Sequence, residues 1–438
     1  MTRSTRTKPF HWVSRDAWLI IGARSLRTFA QASISVFFAI YMVELGYSVT
    51  EAGLLATIGS GGSAVFAFLI VFVGETIGRR KLLVGFSILM GLGGLGFAFT
   101  DEYAVLALVS FFMGSLAITG GGPRGPIQPL ETASLPDTTD AQHLTELYAL
   151  SGIIERIARV LGSLAAALPA LFVVVFDITD VQSFKVMFVS YAVIMLASAL
   201  MYSFLSPAVT HQATVAGSEP KRGWQNPLAL PSRRTIFTLA AIFSVDSFAT
   251  RFVFFALVAL WFKTKFGLDL SEVSYLLAAS TLLSAVSLWA AAKLANRIGL
   301  LNAIVFTHIP AVICTIAVPF APWAWLAILL WLVRGFFSQM DGPPKNSYTM
   351  AIVNREERTA MASINNVAQA TVGTATPWLT TVLFQSVSMM APFIAAGLLK
   401  SIYLAGMYFT FRNVHPPEEV ERQARKARQR EQARAKAN

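Results

Sequence analysis

The chain has 438 residues, 55% of them hydrophobic and only 13% charged, with a formal net charge of +11 and a mean hydropathy of +0.58. Soluble domains usually carry roughly a quarter charged residues, so a water-soluble fold is excluded and a polytopic helical membrane protein is expected. The single cysteine, Cys314, rules out an intrachain disulfide, and the five scattered histidines give no metal-ligand spacing.

The basic start, MTRSTRTKPFHWVSRDAW, leads into an apolar run with no small-residue cleavage site after it, which reads as a retained helix rather than a signal peptide. Apolar runs of bilayer-crossing length, roughly 20 residues each, fall near 17–44, 51–73, 82–100, 104–128, 146–175 and 184–205. A polar, proline-rich linker fills 206–234. A second set of runs lies near 235–262, 272–294, 301–319, 322–349, 358–385 and 391–411. The chain thus divides into an N-terminal half (1–205), a linker (206–234), a C-terminal half (235–412) and a basic tail (413–438). The tail has no apolar face and is assigned no chemistry beyond weak attraction to anionic lipid.

An even number of spans puts both termini on one side, and charge says which. The gaps on the terminal side hold Arg79, Arg80, Lys81, Lys221, Arg222, Arg233, Arg234, Lys293, Arg297, Arg355 and Arg358, besides the basic tails. The opposite gaps hold only Lys185, Lys263 and Lys265. The termini are therefore expected in the cytoplasm, in a multi-pass protein of the cytoplasmic membrane. This distribution accounts for the positive charge, and no nucleic-acid partner is expected.

The loop GETIGRRKLL at 74–83 returns in the second half as ANRIGLLNAI at 295–304. An offset of 221 residues carries Gly78 to Gly299, Gly46 to Gly267, Thr50 to Ser271 and Glu51 to Glu272. Thr50 and Ser271 are expected to cap the next helices, with the glutamates in the first turn. An offset of 220 carries Gly122-Pro123 to Gly342-Pro343. The fold class is therefore all-α, with twelve transmembrane helices in two pseudo-symmetric six-helix halves, the parallel-repeat plan of many transporters.

Six plus six spans with this loop after the second resembles the major facilitator superfamily, whose loop signature runs G-x-x-x-[DE]-x-x-G-[RK]-[RK]. Glu75, Gly78, Arg79 and Arg80 take the acid, glycine and basic positions, with Val71 in place of the leading glycine. The second copy keeps Arg297 and Gly299 and has Asn296 for the acid. The resemblance covers about 17–411. The fifth span lacks the G-x-x-x-G-P-x-x-G-G pattern of many drug antiporters. The resemblance implies cytoplasmic gating, with Arg79 or Arg80 pairing with Glu356 or Glu357, and Arg297 with Glu131, Asp137 or Asp140.

Nine basic residues lie inside spans: Arg24, Arg27, Arg124, Arg156, Arg159, Arg251, Arg334, Lys345 and Lys400. Four acids join them: Glu131, Glu155, Asp246 and Asp341. Each costs at least about 2.5–3.5 kcal/mol at mid-membrane unless it meets a partner or a cavity. Arg24 and Glu131 lie near span ends and are expected to snorkel. Glu155 with Arg159, and Asp341 with Lys345, stand at i,i+4 and are expected to pair. Asp246 and Arg251, five apart on span seven, are expected to meet different neighbours. The resemblance implies that spans 1, 4, 5, 7, 10 and 11 line one path. It makes Arg27, Gln31, Arg124, Gln128, Arg251, Lys345, Asn365, Asn366 and Gln369 substrate-binding candidates, with Phe29, Phe37, Phe38, Phe248, Phe252, Phe254 and Phe255 as apolar contacts.

The excess of cations favours an anionic or amphiphilic organic solute. The expected function is secondary transport by alternating access, coupled to protons and directed outward. Asp246 is the first proton-carrier candidate, followed by Asp341 and Glu155, since desolvation makes a buried carboxylate protonatable. A proton-independent uniporter or anion exchanger, and a transporter-like sensor, stay open as alternatives. No cofactor, metal or enzymatic constellation is expected. The expected partners are the solute, protons and the lipid bilayer, around a monomer.

Overall fold

Every regular element among the described residues (12–113, 127–139, 143–206, 231–353 and 357–414 of the computed structural model) is a helix. That is what a bilayer demands of an open chain, because helices satisfy their backbone groups internally. The first half holds α1 (Arg15–Glu44), α2 (Val49–Ile77), α3 (Arg79–Phe99), α4 (Tyr103–Met113), α5 (Ile127–Ser134), α6 (Leu144–Ala165), α7 (Leu168–Phe176) and α8 (Asp180–Ser203). The second holds α9 (Arg233–Arg251), α10 (Phe255–Phe266), α11 (Leu270–Ile298), α12 (Leu300–Ala317), α13 (Ala324–Phe337), α14 (Gly342–Ala351), α15 (Arg358–Thr374), α16 (Thr376–Val382) and α17 (Ala391–Phe411). Nine described helical segments are long and apolar enough to cross a membrane. With the shorter pieces of the fourth, tenth and eleventh passages they make the twelve-span layout in two halves.

Local chemistry sets the ends. Ser14 accepts from the Ala17 amide at 3.1 Å and starts α1, with Asp16 in its first turn. Thr179 and Gln182 form a full capping box on α8. At α2 the cap is Ser48 rather than Thr50: its amide donates to Glu51 Oε2 at 2.7 Å and its hydroxyl accepts from the Glu51 amide at 3.2 Å. Asp269, whose amide donates to Glu272 Oε2 at 2.9 Å, takes the same place at α11. The expected first-turn glutamates are present, but both caps lie two residues earlier than expected. The carboxylate reaches back to an amide three residues before it, and that spacing picks the cap.

The repeated glycines have a conformational reason. Gly78 (φ 88°, ψ 138°) and Gly299 (φ 90°, ψ 160°) occupy a region essentially reserved for glycine. Each lets the chain reverse between two helices separated by that residue alone. Gly46 and Gly267 also have positive φ. Several spans read as continuous in the sequence are broken: the seventh at Phe252–Phe254, the tenth between Phe337 and Gly342, and the eleventh at Ala375. Gly342-Pro343 opens α14, where a proline is tolerated because its missing N–H has no helical partner to lose. Its first-half counterpart, Gly122-Pro123, lies outside the described residues.

The molecule divides into two units whose borders differ from the sequence halves. The first comprises Met1–Pro220, Val253–Ala279 and Thr374–Met389. Within it α1 packs against α6, α8 and α10, α3 against α8, and α2 against α4 and α16. Ala256 to Phe262 of α10 are all buried. Thr50 donates to Gln385, and Glu44 pairs with Lys263 at 2.8 Å. Phe37 stacks on Phe184, and Phe38 meets Phe97 edge-on, both buried. These rings serve helix packing. The second unit comprises Lys221–Phe252, Ser280–Gly373 and Met390–Asn438, with α17 packed on α9 and α12, and α12 on α13 and α14. Its core gathers Ile236, Leu239, Phe243, Tyr348, Tyr403 and Met407. Outward, Ile153, Ile157, Leu161, Leu164 and Leu168 form an exposed apolar stripe along α6 and the start of α7, as a lipid-facing surface requires.

Candidate functional site

Each unit buries one ion cluster. In the first, Arg27 of α1 is 1% exposed and meets Glu131 of α5, 0% exposed, at 2.5 Å. Tyr202 of α8 donates its hydroxyl to the other oxygen of Glu131. Arg24 lies 3.9 Å from Glu131 and 2.8 Å from Glu155 of α6, and Arg159 stands 3.6 Å from Glu155. Arg24, Arg27 and Arg159 thus all lie within ion-pair distance of Glu131 or Glu155. The expected Glu155–Arg159 contact is present. The expected snorkelling of Arg24 and Glu131 is not, because Glu131 is fully enclosed and serves as the anion around which two helix-one arginines gather. Gln31, one turn beyond Arg27, is buried beside Tyr191.

In the second unit Asp246 of α9 accepts from two lysines. Lys345 of α14 lies 2.6 Å from Oδ2, and Lys400 of α17 donates to Oδ1. The Lys345 ammonium also sits 4.2 Å from the ring centre of Phe243, and both lysines approach the Tyr403 ring. The expected Asp341–Lys345 pairing is replaced. Asp341 is the N-cap residue of α14, and although its carbonyl accepts from the Lys345 amide at 2.8 Å, its side chain turns to another helix. Its carboxylate lies 3.5 Å from His308 Nδ1 of α12.

Each cluster draws on the first, fourth and sixth spans of its half: Arg27, Glu131 and Tyr202 in one, Asp246, Lys345 and Lys400 in the other, at positions the repeat offset does not equate. Sequence reasoning missed Lys400, His308, Tyr202 and Tyr403 as parts of these clusters. Lys400 carried the clearest signal, a lysine deep inside an apolar run. A single buried histidine or tyrosine carries almost none.

Arg251 closes α9 at the break in span seven and is 6% exposed. Among the described residues no carboxylate lies within ion-pair distance of it, in keeping with the expectation that it parts company with Asp246. Its guanidinium rests against Gly373 of α15, where any Cβ would overlap it. Gln369 and Asn365 stand one and two turns before Gly373 on the same face of α15. The Asn365 side-chain oxygen is buried and has no hydrogen-bond partner among the described residues. Arg334 of α13, by contrast, is held by the Thr315 hydroxyl at 3.1 Å and by the Trp331 ring.

The remaining candidates are dispersed. Gln128 is half-buried on α5. Arg124 and Glu356 lie outside the described residues, as do the side chains of Glu75 and Asn366. In the loop at 74–83 Arg79 pairs with Asp137 at 2.7 Å and Arg80 donates to the Ser203 carbonyl. Glu357 accepts from the Ser232 amide at 3.0 Å, and Arg297 is exposed beside Gly299.

Comparison with known proteins bears on the fold. The family model described as Major Facilitator Superfamily matches residues 20–340. An uncharacterized membrane protein of Saccharomyces cerevisiae is 20% identical over 419 residues, covering 89% of this chain and 92% of its own. A bacterial homologue of the human lysosomal transporter Spinster, inward-facing and occupied, superposes with a TM-score of 0.69 at 14% identity, covering 90% of this chain and 96% of its own. A D-xylose–proton symporter does so with a TM-score of 0.67 at 14% identity, covering 90% and 97%.

Proposed function

This chain belongs to the Major Facilitator Superfamily, and we propose from that premise that it is a proton-coupled secondary transporter for a small organic anion. Membership makes it a membrane transporter. The anionic substrate rests on one observation: Arg251, buried at a helix break, has no carboxylate within ion-pair distance among the described residues.

A buried guanidinium without an anion is costly, and the lysines of the neighbouring cluster have already taken Asp246. A ligand carboxylate would neutralise Arg251 through two parallel N–H bonds. Gly373 leaves room for the guanidinium itself, and Gln369 and Asn365, whose side-chain oxygen has no partner among the described residues, stand on the same face of α15. Proton coupling draws support from the buried titratable groups and from a symporter of like fold. The distribution of lysine and arginine supports cytoplasmic termini in the cell membrane.

The test is a thermal-shift and counterflow screen on purified, reconstituted protein, using benzoate and succinate against tetraphenylphosphonium and glucose. Stabilisation and counterflow by an anion, lost in Arg251→Ala, is the expected result. Selective response to the cation or to the neutral sugar would overturn the anionic reading.

A further inference from the structure

Three acids were natural candidates for the transported proton, and the geometry disqualifies the first of them. Both oxygens of Asp246 are engaged by ammonium groups. Protonating it would leave Lys345 and Lys400 buried together, one negative charge short. His308 is the ionisable group the lysine bridges leave out. It is 3% exposed, and its Nδ1 lies 3.5 Å from Asp341 Oδ1 with no hydrogen-bond partner among the described residues.

The geometry points to His308 and Asp341 as the proton-binding pair of the transport cycle, in place of Asp246; this rests on the proton-coupled reading above. The groups facing His308 are Asp341 and Lys345 from the start of α14, Asp246 from α9 and Lys400 from α17. The Tyr403 ring of α17 lies beside the lysines. Two turns along α12, Thr315 holds Arg334 of α13. With His308 neutral, the two aspartates and two lysines cancel. One proton from hydronium can be taken up without breaking either lysine bridge: an O–H bond of hydronium breaks, releasing water, as an N–H bond forms at Nδ1 of the Nε2–H tautomer, and the new N–H donates to Asp341 as a charge-assisted hydrogen bond. The proton leaves by the reverse step. The offset of 221 residues places Ser87 at the equivalent position of the first half, where the hydroxyl is spent on the Leu83 carbonyl. At that position the first half has a serine hydroxyl in place of the imidazole.

Full-length protein in lipid nanodiscs, with ring-labelled histidine, is titrated by NMR across the range where imidazole changes charge, about pH 5–8 and one unit beyond each end. His308→Gln identifies the His308 signal by its loss. The expected result is a single step for His308, shifted to lower pH in Asp341→Asn, with a matching step in melting temperature that His308→Gln abolishes. A His308 signal that never moves, or a melting step that survives His308→Gln and disappears in Asp246→Asn, overturns the assignment. Where His308→Gln does not fold, the imidazole signal whose step moves in Asp341→Asn identifies His308 and supports the assignment, and no signal moving overturns it. Neither measurement contains a solute, so a failed anion screen leaves this result standing, and a failed titration leaves the anion reading standing.

Discussion

Asp246 shared between two lysines makes a strong claim about unequal partners, which a double-mutant cycle tests. Asp246→Asn keeps shape and one acceptor but strands two ammonium groups whose side chains are only 15% and 14% exposed. Removing one partner from a buried pair typically costs about 3–5 kcal/mol. Lys400→Met removes one cation, refills its stem volume with an apolar chain, and leaves the 2.6 Å Lys345 bridge whole; its cost should stay near roughly 1–2 kcal/mol. The double variant should recover part of the Asp246→Asn loss, a coupling on the order of 1–3 kcal/mol, because only one ammonium is then unmatched. Domains of 150–250 residues lose about 2–4 °C per kcal/mol, and longer chains less, so Asp246→Asn should lower the melting temperature by roughly 5–10 °C. Melting of the detergent-purified variants measures all three. A Lys400→Met loss as large as that of Asp246→Asn, or strict additivity in the double variant, would refute the shared-carboxylate reasoning.

Arg251→Ala should weaken the binding of a responding anion by about 1.5–3 kcal/mol, the scale of a hydrogen bond to a charged group, and Gly373→Ala should reduce it by displacing the same guanidinium; equilibrium binding on purified protein reads both. Glu131→Gln should destabilise the first unit by about 3–5 kcal/mol, since Arg27 loses its anion. Tyr202→Phe should cost only about 1 kcal/mol, and the contrast between the two melting curves is the check. Gly78→Ala and Gly299→Ala should each cost about 1–3 kcal/mol through backbone strain, seen as lower melting temperature with the ion clusters unchanged.

Much of the architecture was legible because it recurs. Gly46, Gly78, Gly267 and Gly299 stand at one offset, and each has the positive φ that only glycine adopts freely. The break in span seven was not legible, since apolar residues continue through Phe252–Phe254 with no local signal to stop, whereas that in span ten was marked by Asp341-Gly342-Pro343-Pro344 and hidden only by the length of the surrounding apolar run. The site was legible as a set of residue types and poorly legible as a set of pairs. Helical spacing found Glu155 with Arg159, and misled at Asp341, whose carboxylate lies against His308 of another helix. Pairings that cross helices, such as Arg27 with Glu131 and Asp246 with Lys400, depend on packing that no spacing within one segment encodes.

The placement of α10 and α16 in the first unit bears on where this protein can be cut. The linker at 206–234 looks like a seam, yet severing it would not yield two self-sufficient pieces. The N-terminal fragment would expose the face of α1 that α10 covers with seven consecutive buried residues, from Ala256 to Phe262, and the face of α2 against which Thr381 lies at Gly53. The C-terminal fragment would carry two helices folded for a partner it had lost. The chain is laced rather than jointed, and complementation between co-expressed fragments, not independent folding, is the behaviour this lacing dictates.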